Sequence, residues 1–259
     1  MATTTFLSLF CLSIIQGITE WLPISSSGLL VIFEEIALPG DKNKNLLFNI
    51  ASHTGSLIAV ILYFKKEILN IINNTLLIQN IIIATIPVII FGALIKFFNI
   101  NIFLQDIKIV AFATIFFSIV LYLCDKSPVR KKFYRNISNK NAFYIGLAQV
   151  LALIPGTSRS GITISCARYL GFSRLDSAKF SFLLSIPTLF AATIFGVGEI
   201  VFNFDKDILI ILFIGFFLSL ITSLVCIKIF LTFVEKNSLT IFVIFRLVLG
   251  FILLFYLAN

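Results

Sequence analysis

Ile154-Pro155-Gly156-Thr157-Ser158-Arg159-Ser160-Gly161 lies in the middle of an otherwise apolar stretch, residues 142–170. Proline removes a helical donor and glycine frees the backbone, so a helix entering this stretch has to stop there. Each flank is shorter than the ~20 helical residues that cross a bilayer. The reading is a re-entrant helix–loop–helix hairpin with a polar tip near mid-membrane. Leu22-Pro23-Ile24-Ser25-Ser26-Ser27-Gly28 breaks the apolar residues 6–36 in the same way. Gln16 precedes Pro23 and Gln149 precedes Pro155, and a Ser/Thr-rich turn ending in glycine follows each proline.

The rest of the chain places these breaks in lipid. Of 259 residues, 59% are hydrophobic and 12% charged, with a mean hydropathy of +1.07. Soluble domains carry about one quarter charged residues. Six apolar segments are long enough to span: 46–64, 81–97, 107–123, 180–201, 208–233 and 239–257. Three follow each hairpin. The expected fold is an all-α polytopic membrane protein, with six transmembrane helices plus two re-entrant helix-loop-helix hairpins in an inverted repeat. Residues 1–259 form one integral membrane domain, with halves of about 1–124 and 141–259 and a basic loop 125–140 between them.

Charge orients this layout. The loop carries Lys126, Arg130, Lys131, Lys132, Arg135 and Lys140, and so belongs in the cytoplasm. Alternation from there puts 13 of the 20 Lys and Arg residues inside, five outside, and Arg159 and Arg246 within the membrane. The first hairpin then enters from outside and the second from inside. Broken helices of inverted repeats meet at the midplane, where sites form. The net charge of +8 is read as topology, not as a nucleic-acid footprint. MATTTFLSLF has no Lys or Arg before its apolar run, so the first segment is expected to be retained rather than cleaved. Cys11, Cys124, Cys166 and Cys226 are far apart without metal-ligand spacing and read as small buried hydrophobes.

Irregular backbone at membrane depth needs protein or water around it. Two hydroxyl-rich tips, one bearing Arg159, make a chamber suited to an anion such as phosphate. Glu20 lies at depth three residues before Pro23, and Gln16 is one turn earlier on the same side. A buried carboxylate is costly, and either a Glu20–Arg159 ion pair or a functional role explains it. A carboxylate, substrate phosphate and water also suit magnesium. Arg246 sits roughly 12 Å into the last span at ~1.5 Å per residue; it either neutralises Glu20 or contacts phosphate. His53, the one histidine, is either a packing residue or a site-lining group with a near-neutral reference pKa. Glu34 and Glu35 read as a solvated interfacial pair.

Gln16-Gly17-Ile18-Thr19-Glu20, running on into Trp21-Leu22-Pro23-Ile24-Ser25-Ser26-Ser27-Gly28, resembles the undecaprenyl-diphosphate phosphatase, or bacitracin-resistance protein, family. Pro155-Gly156-Thr157-Ser158-Arg159-Ser160-Gly161-Ile162-Thr163 fits the family's PGxSRSxxT block completely. Phe180-Ser181-Phe182-Leu183-Leu184-Ser185-Ile186-Pro187 and Phe245-Arg246 are also family-like, so the similarity covers essentially the whole chain.

The resemblance implies hydrolysis of undecaprenyl diphosphate to undecaprenyl phosphate, the carrier lipid of peptidoglycan synthesis. It implies a divalent cation (Mg2+ or Ca2+) and a site in the bacterial inner membrane facing the periplasm. Glu20 and Gln16 would help hold the metal or water, and Arg159 would bind the diphosphate. Ser26 would be the nucleophile or a phosphate ligand, with Ser25, Ser27, Gly156, Ser158, Ser160, Thr163 and Arg246 around the substrate. The polyprenyl diphosphate and membrane lipids are the expected partners; bacitracin competes for the substrate, and a homodimer is compatible. Where many members have His after the first tip's glycine, this chain has Leu29. His53 is then the substitute base, metal-bound water is another, and reduced or altered activity is a third reading. A polyprenyl-phosphate flippase without hydrolysis is the rival from a different class, since transporters share this layout.

Overall fold

The computed structural model describes residues 3–25, 42–72, 75–130, 137–197 and 206–258. Among the described residues all regular structure is helical, with no strand. In chain order the helices are α1 (Thr3–Thr19), α2 (Lys42–Tyr63), α3 (Lys65–Ile72), α4 (Thr75–Phe97), α5 (Ile100–Leu104) and α6 (Ile107–Asp125). They continue as α7 (Asn139–Val150), a 3-10 turn (Leu151–Leu153), α8 (Arg159–Tyr169), α9 (Arg174–Val197), α10 (Lys206–Lys236) and α11 (Thr240–Ala258).

The chain is a multi-pass helical membrane protein. Five helices are long and apolar enough to cross a bilayer: α2, α4, α6, α9 and α10. The expected sixth span falls on α11, whose apolar part over Thr240–Phe255 is shorter. Some boundaries differ from expectation. Helix α9 begins at Arg174 rather than 180, because Ser173 Oγ accepts from the Asp176 amide at 3.0 Å and caps a polar first turn. The span expected over 81–97 starts earlier, at Thr75.

The surface is inverted relative to a soluble protein. On α6, Phe112, Phe116, Ile119 and Leu123 face outward, while Ala111, Thr114, Ser118 and Leu121 are buried. Large apolar side chains suit lipid, and small or hydroxyl side chains let helices approach and bond inside. A Cβ at Gly55 would lie 2.3 Å from the Phe216 carbonyl oxygen, so α2 and α10 touch backbone to backbone there. Ser56 Oγ bonds Ser219 Oγ at 2.9 Å and Ser223 Oγ at 3.0 Å across the same seam.

Two packings set the depth of the breaks. Helix α1 lies along α10, with the Gly17 carbonyl accepting from Ser223 Oγ at 3.1 Å and Leu9 and Leu12 packed beside Ile211. Ser223 is near the middle of the 31-residue α10, so α1 ends about halfway along that helix. Helix α7 lies along α4 in the same sense. Gln149 Nε2 donates to the Ala84 carbonyl at 3.5 Å, and Asn80 Nδ2 donates to the Ile137 carbonyl at 3.3 Å. Helices α7 and α8 have 12 and 11 residues, about 16–18 Å each at ~1.5 Å per residue. That is short of the roughly 30 Å hydrocarbon core.

Candidate active site

The break between α7 and α8 is built at Gly156 and Ser158. Gly156 has φ +94°, a left-handed conformation that glycine adopts without strain. It also lies so close to α6 that a Cβ would meet the Val110 carbonyl oxygen at 2.4 Å. Ser158 holds φ 68°, which is uncommon for a residue with a Cβ. Its Oγ caps α8 by accepting from the Gly161 amide at 3.2 Å.

The first tip meets the second directly. Ser160 Oγ donates to the Leu22 carbonyl at 2.8 Å, and Ser158 Oγ lies 3.2 Å from Ser160 Oγ. Arg159, the first residue of α8, extends toward the end of α1. Its Nη2 donates to Glu20 Oε1 at 2.8 Å and its Nη1 to the Ser181 carbonyl at 3.0 Å. The guanidinium sits 5.8 Å over the Trp21 ring. Trp21 in turn packs edge-on to Phe182 at 5.0 Å, within the largest buried apolar cluster of the described residues. Thr163 Oγ1 donates to the Arg159 carbonyl at 2.9 Å and is 2.7 Å from Ser181 Oγ.

Glu20 is the hub. Its side chain is only 7% exposed, against 13% for Arg159. Gln16 Nε2 donates to Glu20 Oε2 at 3.1 Å, bridging one turn of α1. His53 reaches this cluster from α2. Its Nδ1 lies 3.4 Å from Glu20 Oε2 and 3.1 Å from Gln16 Nε2, and its side chain is 29% exposed. A buried carboxylate contacted by a guanidinium, an amide and an imidazole is an orienting group for whatever the imidazole does. Of the two readings offered for Glu20, the ion pair with Arg159 forms, at the meeting of α1 and α8.

Arg246 occupies a different place. The arginine beside Glu20 is Arg159, whereas Arg246 is fully buried behind the second tip. Its Nη2 donates to the carbonyls of Gly156 at 3.0 Å and Thr157 at 2.9 Å. Ser25 is buried at the end of the first tip. Ser26, Ser27, Gly28, Leu29, Glu34 and Glu35 lie outside the described residues. Two participants escaped sequence reasoning: Trp21 under the guanidinium and Ser181 on α9. Their signal was present, a tryptophan beside a buried acid and a hydroxyl inside an apolar run.

A divalent cation fits the donor set. No group of three His, Cys, Asp or Glu side chains is gathered among the described residues, which disfavours a closed structural site. Magnesium, however, takes one or two carboxylates and completes its shell with phosphate and water. Glu20 supplies a carboxylate, and Gln16 Oε1 is a buried oxygen with no hydrogen-bond partner.

Comparison with known proteins places this geometry in a family. The family described as bacitracin resistance protein BacA matches residues 9–252. An undecaprenyl-diphosphatase of Pelagibacter ubique is 41% identical over 262 aligned positions, covering 99% of both chains. One from Campylobacter curvus is 41% identical, covering 94% of this chain and 96% of its own. One from Aliivibrio salmonicida is 37% identical, covering 98% and 99% respectively. With the match running nearly end to end and both broken tips inside it, this chain belongs to the bacitracin resistance protein family.

Proposed function

We infer that the protein is an undecaprenyl-diphosphatase of the bacterial inner membrane, releasing phosphate and returning undecaprenyl phosphate for peptidoglycan synthesis. The observation that carries this reading is the buried Glu20–Arg159 pair, joined to Gln16 and His53 where α1 ends and α8 begins. The relatives' names favour hydrolysis over transport alone.

Six crossings, counting α11, and two re-entrant hairpins are the arrangement this reading requires. Support comes from α1 on α10 and α7 on α4, equivalent pairs under an inverted repeat with halves 1–124 and 141–259. The chamber opens to the periplasm, and the polyprenyl tail stays in lipid. Bacitracin competes for the same diphosphate lipid.

Water, or first the hydroxyl of Ser26, attacks the terminal phosphorus. The bond to the bridging oxygen breaks and undecaprenyl phosphate leaves; where Ser26 attacked, water then cleaves the phosphoserine and releases phosphate. His53 accepts the nucleophile's proton, with Glu20 fixing the ring, and so fills the role left by Leu29. Arg159 and the first amides of α8 stabilise the charge on the transferring group; Ser25, Ser158, Ser160 and Thr163 line and brace the chamber, and Ser27 is a further candidate substrate ligand. Glu20 and Gln16 would hold a divalent cation, which when bound would supply further charge neutralisation. Phosphoryl transfer depends chiefly on such positioning and electrostatics. Arg159→Ala should therefore lower turnover by at least ~10²–10³-fold, the scale of one lost oxyanion donor. Near-wild-type phosphate release by folded Arg159→Ala protein would remove the proposed site.

A further inference from the structure

Arg246 presents an unusual balance of charge. Its guanidinium is completely buried, yet only Nη2 has hydrogen-bond partners; Nε and Nη1 have none. Among the described residues no carboxylate pairs with it, and a buried cation left without a counter-ion is costly. Such a cost is tolerated where the group fixes something else. What it holds is a single turn, through the Gly156 and Thr157 carbonyls.

That turn is strained at Ser158 and immediately precedes the working residues. Gly156 and Ser158 both have positive φ, and α8 begins at Arg159. The first amides of a helix lack partners within it and suit an anion. Carbonyls facing the same anion would repel it. Arg246 satisfies both the Gly156 and Thr157 carbonyls, and Thr114 Oγ1 also donates to the former at 3.3 Å.

A second residue supports this independently. At Gly161 a Cβ would lie 2.9 Å from Arg246 Nη1 and 3.2 Å from Ser158 Oγ. The helix must be bare there for the guanidinium to reach the two carbonyls. An arginine end usually yields to such a contact, but this one is pinned and enclosed.

We propose that Arg246 is a positioning residue, which holds the Gly156–Ser158 turn so that Ser158, Arg159 and the α8 amides face the diphosphate. It acts through the turn and does not touch substrate. The proposal rests on the hydrolytic reading above, but its structural half is separately measurable. Arg246→Met removes the fork at similar length; Gly161→Ala displaces it from the other side while keeping the arginine.

The test is hydrolysis of undecaprenyl diphosphate by wild-type, Arg246→Met, Arg246→Lys and Gly161→Ala proteins in detergent. Amide hydrogen exchange over residues 156–162 is followed alongside. We expect kcat to fall about 100-fold in Arg246→Met, the scale of a misplaced catalytic group, with KM within about threefold. Gly161→Ala should fall in the same direction, Arg246→Lys less, and tip amides should exchange faster in all three. Unchanged kcat in Arg246→Met and Gly161→Ala would overturn the proposal. So would lost activity with unchanged exchange and a raised KM, which would make Arg246 a substrate ligand. If wild-type protein released no phosphate, the hydrolytic reading would fail, and the exchange comparison alone would decide whether Arg246 holds the turn.

Discussion

At the scale of single residues, His53 changes most between sequence and structure. The sequence supplies one histidine in a span and a leucine at position 29. Nothing in local spacing links residue 53 to residue 20, because their contact depends on how α2 packs beside α1. The structure brings His53 Nδ1 to 3.4 Å from Glu20 and leaves the ring partly open. A base in this position contributes ~10²–10⁴-fold in general acid–base catalysis. His53→Ala should therefore lower kcat by about that factor without loss of folding. Unaltered kcat would assign the proton transfer to water. Glu20→Gln keeps the shape but removes the charge facing Arg159 and His53; initial-rate measurements should show a loss at least as large. The polar tips were legible from the outset, since proline, glycine and an embedded arginine each carry a local physical meaning. Arg246 was legible as buried but not as a brace for a turn ninety residues earlier.

At the scale of helices, glycine decides which pairs can meet. A Cβ at Gly17 would lie 1.9 Å from Thr222 Oγ1 and 2.8 Å from the Ser219 carbonyl oxygen. Helix α1 carries Gln16 and ends at Thr19, one residue before Glu20, so its seat on α10 sets the register of the acid. Gly17→Ala should lower thermal stability, with overpacking costing ~1–3 kcal/mol, and should reduce activity in the protein that remains folded. Thr222→Ala should restore part of both, because the worst clash is with its hydroxyl. Thermal unfolding of the single and double variants checks this; additive losses would mean that the two residues do not oppose each other. Helix existence was legible from apolar length, but the polar first turn of α9 was not, because charge there masks a capped start.

At the scale of the molecule, one end of the bundle is tied by an ion cluster that sequence reading did not foresee. Asp125, buried at the end of α6, accepts from Arg174 Nε at 2.7 Å and Nη2 at 3.1 Å. It also accepts from the Leu239 amide at 3.1 Å and lies 3.6 Å from Arg168 Nε. The end of α8, the start of α9 and the approach to α11 thus converge on one carboxylate. Its signal was an acid at the edge of a basic loop, and it was read only as part of that loop. Removing one partner of a buried pair costs ~3–5 kcal/mol, so Asp125→Ala should markedly lower the melting temperature. The distant chamber should keep its KM in the folded fraction. A melting temperature equal to wild type would show that the cluster does not fasten the bundle.

Hydrolysis itself is most directly measured as phosphate release from undecaprenyl diphosphate by the purified, folded protein, with Mg2+ or Ca2+ and again with chelator. Release with either cation and its loss on chelation is the expected result, obtained despite Leu29. No release under any of these conditions would contradict the phosphatase reading and leave the chamber to lipid-phosphate transport.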